Sequence, residues 1–310
     1  KPMKEIRSLV DKVAPLDSKV LITGESGVGK ELVAYAIHRK SERGDGPFVK
    51  VNCAAIPAEL VESELFGHEK GAFTGASAKR KGKFESASSG TVLLDEIGDM
   101  DLATQAKVLR LIETGEVTPL GSNVAVEVDV RVIASTNKAI EAEVKAGNFR
   151  EDLFFRLNVF PIAVPPLRER REDIPLLVDH FASMIASQSA FGQVDFLKEA
   201  VEVLMAYDWP GNIRELRNIV ERLMILNEGR EIDAEAVRAL IGKTEEKKET
   251  SLFKQSYKDA RRNFEKLYIE EKLREHDWNI SKTAKALGIE RPNLHRKMRD
   301  LYIHSKDSKE

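Results

Sequence analysis

The chain has 310 residues, 42% of them hydrophobic and 32% charged, with a net charge of −2 and a single cysteine. That length allows two or three domains with a substantial core, and no apolar run approaches the length needed to cross a bilayer. Cys53 alone excludes an internal disulfide or a cysteine-built zinc site and fits a reducing cytoplasm, and the start at Lys1 without Met or a signal peptide suggests a fragment with something removed in front.

The first half alternates apolar β-type runs with helical patterns, which predicts a parallel sheet covered on both faces. The first run, Val20 to Thr23, leads into Gly24, Glu25, Ser26, Gly27, Val28, Gly29 and Lys30, and then Leu32, Val33, Ala36 and Ile37 recur at helical spacing. In a strand, glycine loop and helix of this kind, backbone N–H groups turn in around phosphate oxygens and Lys30 adds a point charge for the outer phosphates. Glu31 stands where the general phosphate-loop pattern has a hydroxyl for Mg2+.

The second run, Phe48 to Asn52, precedes Leu65 to Ala76, a glycine-punctuated stretch with glycines at 67, 71 and 75 and an apolar tip at Phe73. Such a segment is either an ordinary surface loop or a finger that presses on another macromolecule. The third run, Gly90 to Asp95, is too short for a helix and ends in the adjacent carboxylates Asp95 and Glu96. A buried parallel strand delivers such acids to the crevice where open sheets bind ligands. In a nucleotide hydrolase Asp95 would hold Mg2+ and Glu96 would polarise the attacking water. Alone, the pair could equally start a turn or cap a helix.

Valines at 124, 126, 128, 130 and 132 alternate as in a half-buried strand or hairpin, leading into a fourth strand at Val130 to Ser135; a fifth is expected at Val159 to Val164. Pro165 and Pro166 break the pattern, and from Ile174 to Ile241 the spacing is helical. The charged stretch Gly242 to Ser251 reads as a linker. Beyond it the charge changes sign: residues 254–310 carry +5, against −7 for the rest. In this basic tail, Ile280, Ala284 and Leu287 share one helical face, Gly288 marks a turn, and Leu294, Met298 and Leu301 share the face of a second helix that Pro292 helps to start. This spacing fits a helix-turn-helix whose outward residues Arg291, Asn293, His295, Arg296 and Arg299 reach bases and phosphates, although a plain helical hairpin would also satisfy it.

Across essentially its whole length the chain resembles the AAA+ bacterial enhancer-binding proteins that activate sigma-54 RNA polymerase, the NtrC family. The most specific likeness is Gly71, Ala72, Phe73, Thr74, Gly75 and Ala76, which resemble the family's loop for touching sigma-54, and the family itself commonly has a glutamate at the position of Glu31. The resemblance implies an α/β fold: an AAA+ P-loop parallel-sheet core over 1–165, a helical lid over 166–242, a linker at 243–253 and an all-α Fis-type helix-turn-helix domain over 254–310. It implies ATP with Mg2+ as ligands and several site roles. Asn52 is similar to the asparagine that tethers the catalytic glutamate, Asn137 to the sensor near the γ-phosphate, Arg150 and Arg156 to arginine fingers supplied to a neighbour, and Arg214 to the second sensor. Implied partners are the sigma-54 RNA polymerase holoenzyme, enhancer DNA and copies of the chain itself, as an inactive dimer and an active ring of six or seven, with Tyr257, Ala260, Phe264 and Leu267 as candidate dimer or core contacts. The rival expectations are an AAA+ motor of other purpose, which would not need Gly71 to Ala76, and a regulator that binds nucleotide and DNA without remodelling sigma-54.

Overall fold

A computed structural model describes residues 2–56, 58–73, 75–188, 194–227, 230–241, 257–276, 278–301 and 303. Its backbone separates into two compact units, Lys1–Val237 and Arg238–Glu310. Thr74 and the expected linker at 243–253 lie outside the described residues.

The larger unit opens with α1 (Pro2–Val13), whose Ile6, Val10 and Val13 fall on one face and are buried. Strand β1 (Val20–Thr23) and α2 (Lys30–Arg39) follow, then β2 (Phe48–Asn52) and α3 (Ala58–Phe66). Two-residue strands β3 (Gly67–His68) and β4 (Arg80–Lys81) pair antiparallel and carry the glycine-punctuated segment between them. After α4 (Lys83–Ser86) come β5 (Gly90–Asp95) and α5 (Leu102–Thr114). The alternating valines resolve into a small antiparallel hairpin, β6 (Glu116–Val117) with β7 (Val126–Glu127), feeding β8 (Val130–Thr136). Helices α6 (Ile140–Lys145) and α7 (Glu151–Leu157) then lead to β9 (Phe160–Ala163).

The five long strands form one parallel sheet in the order β2-β5-β8-β1-β9. Because strand side chains alternate faces, Val20, Ile22, Leu93 and Ile133 pack with α1 and α2 on one side, while Leu21, Val92, Leu94, Val132 and Ala134 pack with α3, α5 and α7 on the other. Both faces are therefore covered, which is why these strands read as continuous apolar runs. Arg131 interrupts the run in β8, yet it is buried at 2% exposure. Its guanidinium donates to the carbonyls of Ala14 (2.8 Å) and Val13 (2.9 Å), where the dipole of α1 presents its negative end. Burial pulls its pKa down from the usual arginine range.

Helices α8 (Ile174–Gln188), α9 (Lys198–Ala206) and α10 (Asn212–Leu226), with α11 at 234–241, make the helical portion beyond the sheet. Trp209 plugs its core, fully buried, with the indole N–H donating to Leu204 O at 2.8 Å. Arg171 closes the end of α9 by donating to the Met205 and Ala206 carbonyls and pairing with Asp208.

The smaller unit holds α12 (Tyr257–Glu275), α13 (Ile280–Ala286) and α14 (Arg291–Asp300). Asn279 caps α13 through the Lys282 amide, and Gly288 takes the left-handed φ of 67° that the turn into α14 requires. Ile269, Leu273, Ala284, Leu294, Met298 and Leu301 close its core. Among the described residues no helix is long and apolar enough to cross a membrane.

Candidate functional site

The sheet sets the site at its carboxyl edge, where β1 and β5 release their loops. After β1 the chain turns through Gly24, Gly27 and Gly29, with φ of 149°, 78° and 100°, conformations that L side chains rarely adopt. Lys30 then starts α2 and is 6% exposed. Its ammonium donates to the carbonyl of Gly24 (2.9 Å) and to Glu96 Oε1 (3.2 Å).

The two acids at the end of β5 are held differently. Asp95 Oδ1 accepts from the Ser135 hydroxyl at 2.7 Å, and its Oδ2 lies 3.3 Å from Lys50 Nζ. Lys50 also donates to Glu31 at 2.6 Å, so one ammonium stands between the two carboxylates nearest the expected cation. Burial works against that charge, but the Glu31 hydrogen bond and the charges of Asp95 and Glu31 outweigh it and hold the Lys50 pKa above its ordinary value. Carboxylate oxygens suit a hard cation such as Mg2+. Among the described residues no group of three or more His, Cys, Asp or Glu gathers, so most of its coordination would come from phosphate oxygens and water. Glu96 has a left-handed backbone (φ 55°), unusual for a non-glycine, and its Oε2 accepts from the Asn137 amide at 2.9 Å. Asn52 sits beside Asp95 in the β2–β5 register, but its carboxamide oxygen accepts from the Ala54 and Ala55 amides. Glu96 takes its hydrogen bonds from Asn137 and Lys30 instead, because Asn52 closes the turn that its own strand end makes.

The helical portion docks directly on the glycine loop. Arg214 donates to Ser26 Oγ (3.0 Å), and the Ile213 amide donates to Gly27 O (3.0 Å). A Cβ on Gly27 would lie 2.4 Å from Gly211 O, so only glycine permits the approach. Arg168 grips Glu25 through two bonds of 2.9 and 2.6 Å. That grip, aided by the Asn212 amide, holds the Glu25 carboxyl at about 2. Beside Val28 and Gly29 opens an apolar cavity of about 590 Å³, lined also by Ile6, Leu177 and Ile213, a size suited to a small ligand.

Arg150 and Arg156 lie at α7. The Arg150 guanidinium pairs with Asp152 at 2.7 Å, whereas the exposed Arg156 side chain makes no hydrogen bond or ion pair among the described residues. Gln105, fully buried, donates to Met100 O (2.7 Å) and Asn148 O (3.1 Å) and accepts from the Arg150 amide (2.8 Å), pinning the start of α7.

Gly71, Ala72, Phe73, Gly75 and Ala76 form the tip between β3 and β4. Gly71 N donates to Ala76 O (2.8 Å), and a Cβ on Gly71 or Gly75 would meet nothing within 4 Å. Phe73 is 36% exposed and rests edge-on to His68 with ring centroids 5.0 Å apart; His68 is itself bonded to Ser63 Oγ at 2.7 Å. The base of this segment is tied to Leu120, whose amide donates to Gly67 O (2.9 Å) and whose carbonyl accepts from Glu69 N (2.9 Å), while further back, just after β2, Cys53 N donates to Asp95 O at 2.9 Å. Cys53 itself is buried, and desolvation pushes its thiol up to about 12, which removes it as a nucleophile.

On α14 every one of Arg291, Asn293, His295, Arg296 and Arg299 is exposed, opposite the buried Leu294 and Met298. On α12 Phe264 is exposed and stacks on Tyr268 at 5.7 Å, while the side chains of residues 257, 260 and 267 are outside the described set.

Sequence reasoning missed Lys50, Gln105, Ser135, Arg168, Arg170 and Asn212. Gln105 carried a signal: it shares helical spacing with Val108 and Ile112, and a glutamine in an apolar stripe needs buried partners.

Residues 1–163 match the model of the sigma-54 interaction domain, residues 168–253 that of the AAA+ ATPase lid domain, and residues 260–301 that of the Fis family of bacterial regulatory proteins. The regulatory protein AtoC of Escherichia coli K12 is 46% identical over 309 residues, covering 98% of this chain and 67% of its own length. The transcriptional regulatory protein ZraR of Salmonella typhimurium is 47% identical over 292 residues, covering 94% of this chain and 65% of its own. A crystal structure of NtrX from Brucella abortus in complex with ATP is similar with a TM-score of 0.71 at 42% identity, covering 97% of this chain and 68% of that one. The chain spans about two thirds of the length of these relatives.

Proposed function

The chain belongs to the family of AAA+ sigma-54-dependent activators with a Fis-type DNA-binding domain, and on that premise we propose that it hydrolyses ATP to remodel sigma-54 RNA polymerase at promoters. The triphosphate would lie against the amides of Gly24 to Lys30, with the base in the apolar cavity beside Val28. Mg2+, where bound, neutralises phosphate charge, with Asp95 and Glu31 as its protein oxygens. Lys30 is the group for which phosphates and Glu96 compete, so phosphates that draw Lys30 away free the Glu96 carboxylate to orient water, with Asn137 next to it.

Arg150 and Arg156 would complete the site of the adjacent protomer, which makes a ring of six or seven the active form and a dimer the inactive one. A finger contributes on the order of 10³ to 10⁵ in rate in other phosphoryl-transfer enzymes. Arg214 would report the nucleotide to the helical lid. The exposed basic face of α14 would hold enhancer DNA, and the protein would work in the cytoplasm without a membrane.

The observation that carries the reading is that Phe73, 36% exposed, and the open Gly71 and Gly75 stand on the β3–β4 stem, which α3 joins to β2, the neighbour of the strand that delivers Asp95 and Glu96. Movement of the acids on hydrolysis would raise or lower that tip. Thr74→Ala is expected to keep ATP hydrolysis and to lose sigma-54-dependent open-complex formation. Equal loss of both activities would overturn this division of labour.

A further inference from the structure

Five successive carbonyl oxygens of the glycine loop, from Gly24 to Val28, all accept hydrogen bonds. Lys30 Nζ reaches those of Gly24 (2.9 Å) and Glu25 (3.5 Å). The remaining three are taken by donors from beyond the sheet: Asn212 Nδ2 on Ser26 O (3.1 Å), the Ile213 amide on Gly27 O (3.0 Å) and Arg170 Nη2 on Val28 O (2.7 Å). A peptide unit is planar and trans, so a carbonyl drawn one way turns the next residue's N–H the other way. The three outside donors therefore set the direction of the Gly27, Val28 and Gly29 amides. Those amides make no hydrogen bond among the described residues, which leaves a row of donors for an anion.

Asn212 is built for this task. It is fully buried, holds a positive φ of 53° and uses both ends of its carboxamide: Oδ1 accepts from Leu167 N (2.8 Å) while Nδ2 donates to Glu25 Oε2 and to Ser26 O (3.1 Å each). Arg170, 5% exposed, reaches Val28 from the segment that leads into α8.

We propose that Asn212 and Arg170 are positioning residues that shape the phosphate cradle from behind, so that the stance of the lid sets how tightly phosphates are gripped. This rests on the glycine loop being the ATP site. Lid movement would then govern release of ADP without any lid residue other than Arg214 having to touch the nucleotide.

The test compares binding of ADP and of adenosine, which lacks phosphates, to the full chain and to Asn212→Asp and Arg170→Lys. Asn212→Asp keeps the acceptor for Leu167 but sets a carboxylate oxygen against Ser26 O and Glu25; Arg170→Lys keeps the charge and loses the planar fork. Each is expected to weaken ADP about tenfold, the worth of one good hydrogen bond, and Asn212→Asp, at a residue that does not line the cavity for the base, is expected to leave adenosine unchanged. Adding Glu25→Gln to Asn212→Asp, which returns an amide to the pair, should restore part of the loss. Unchanged ADP affinity in both variants, or equal loss of ADP and adenosine in Asn212→Asp, would overturn the proposal. Failure of the unmodified chain to bind ADP would overturn the ATP-site reading and the proposal with it.

Discussion

Gln105→Leu isolates the step that places Arg150, the proposed arginine finger. The substitution conserves volume and removes three hydrogen bonds, leaving Met100 O, Asn148 O and Arg150 N without their partner beside a fully buried side chain. Bonds of this kind are worth about 1 kcal/mol each, and an orphaned buried group costs about 1–3 kcal/mol, so a loss of about 3 kcal/mol is expected. In a unit of this size each kcal/mol shifts the melting midpoint by about 2–4 °C, which gives a fall of about 6–12 °C. Gln105 makes no bond to the glycine loop, so ADP affinity should hold while hydrolysis drops by at least about tenfold, because Arg150 sets off from the amide that Gln105 pins. Calorimetry, ADP titration and steady-state hydrolysis on the same preparation separate the three effects. An unchanged melting midpoint, or full hydrolysis in a destabilised variant, would refute the reasoning.

Acidification should release the Arg168–Glu25 grip. The Glu25 carboxyl is depressed from 4.5 to about 2, so its stabilising contribution is complete above about 4.5 and is lost as pH falls from there towards 2. The side chain is 42% exposed, and screening reduces its worth to about 1 kcal/mol. The melting difference between the unmodified chain and Glu25→Gln should therefore be flat from about pH 7 to pH 5 and shrink below about 4.5; a difference that persists to pH 2 would contradict the pairing. Specific ATPase activity should rise with protein concentration, and Arg156→Ala should remain inactive however concentrated; activity independent of concentration would indicate a self-sufficient subunit. Lys50→Met removes the ammonium between Glu31 and Asp95, so the Mg2+ concentration for half-maximal ATP binding should fall several-fold, and an unchanged or higher requirement would show that Lys50 does not compete with the cation.

The fold was legible where one local rule governed a residue. The sheet strands appear as short apolar runs separated by helical patterns, and Gly24, Gly27 and Gly29 announce a turn that only glycine makes. Site residues whose partners lie far along the chain were not legible. Arg168 stands in the charged run Arg168-Glu-Arg-Arg-Glu-Asp173, which reads as a solvated surface, yet its partner Glu25 lies 143 positions away. Asn212 follows a Pro-Gly turn and looks like a turn former; burial against Ser26 and Leu167 gives it a second task that spacing cannot show. Asn52 marks the opposite case, for it does close a turn, as asparagines at strand ends commonly do.

The most direct measurement is a binding titration of purified sigma-54 against the full chain with and without hydrolysable ATP. Binding should appear only with nucleotide and should vanish in Thr74→Ala while ATP turnover continues. Sigma-54 bound equally tightly without nucleotide, or undiminished by loss of Thr74, would contradict a motor that works through this loop.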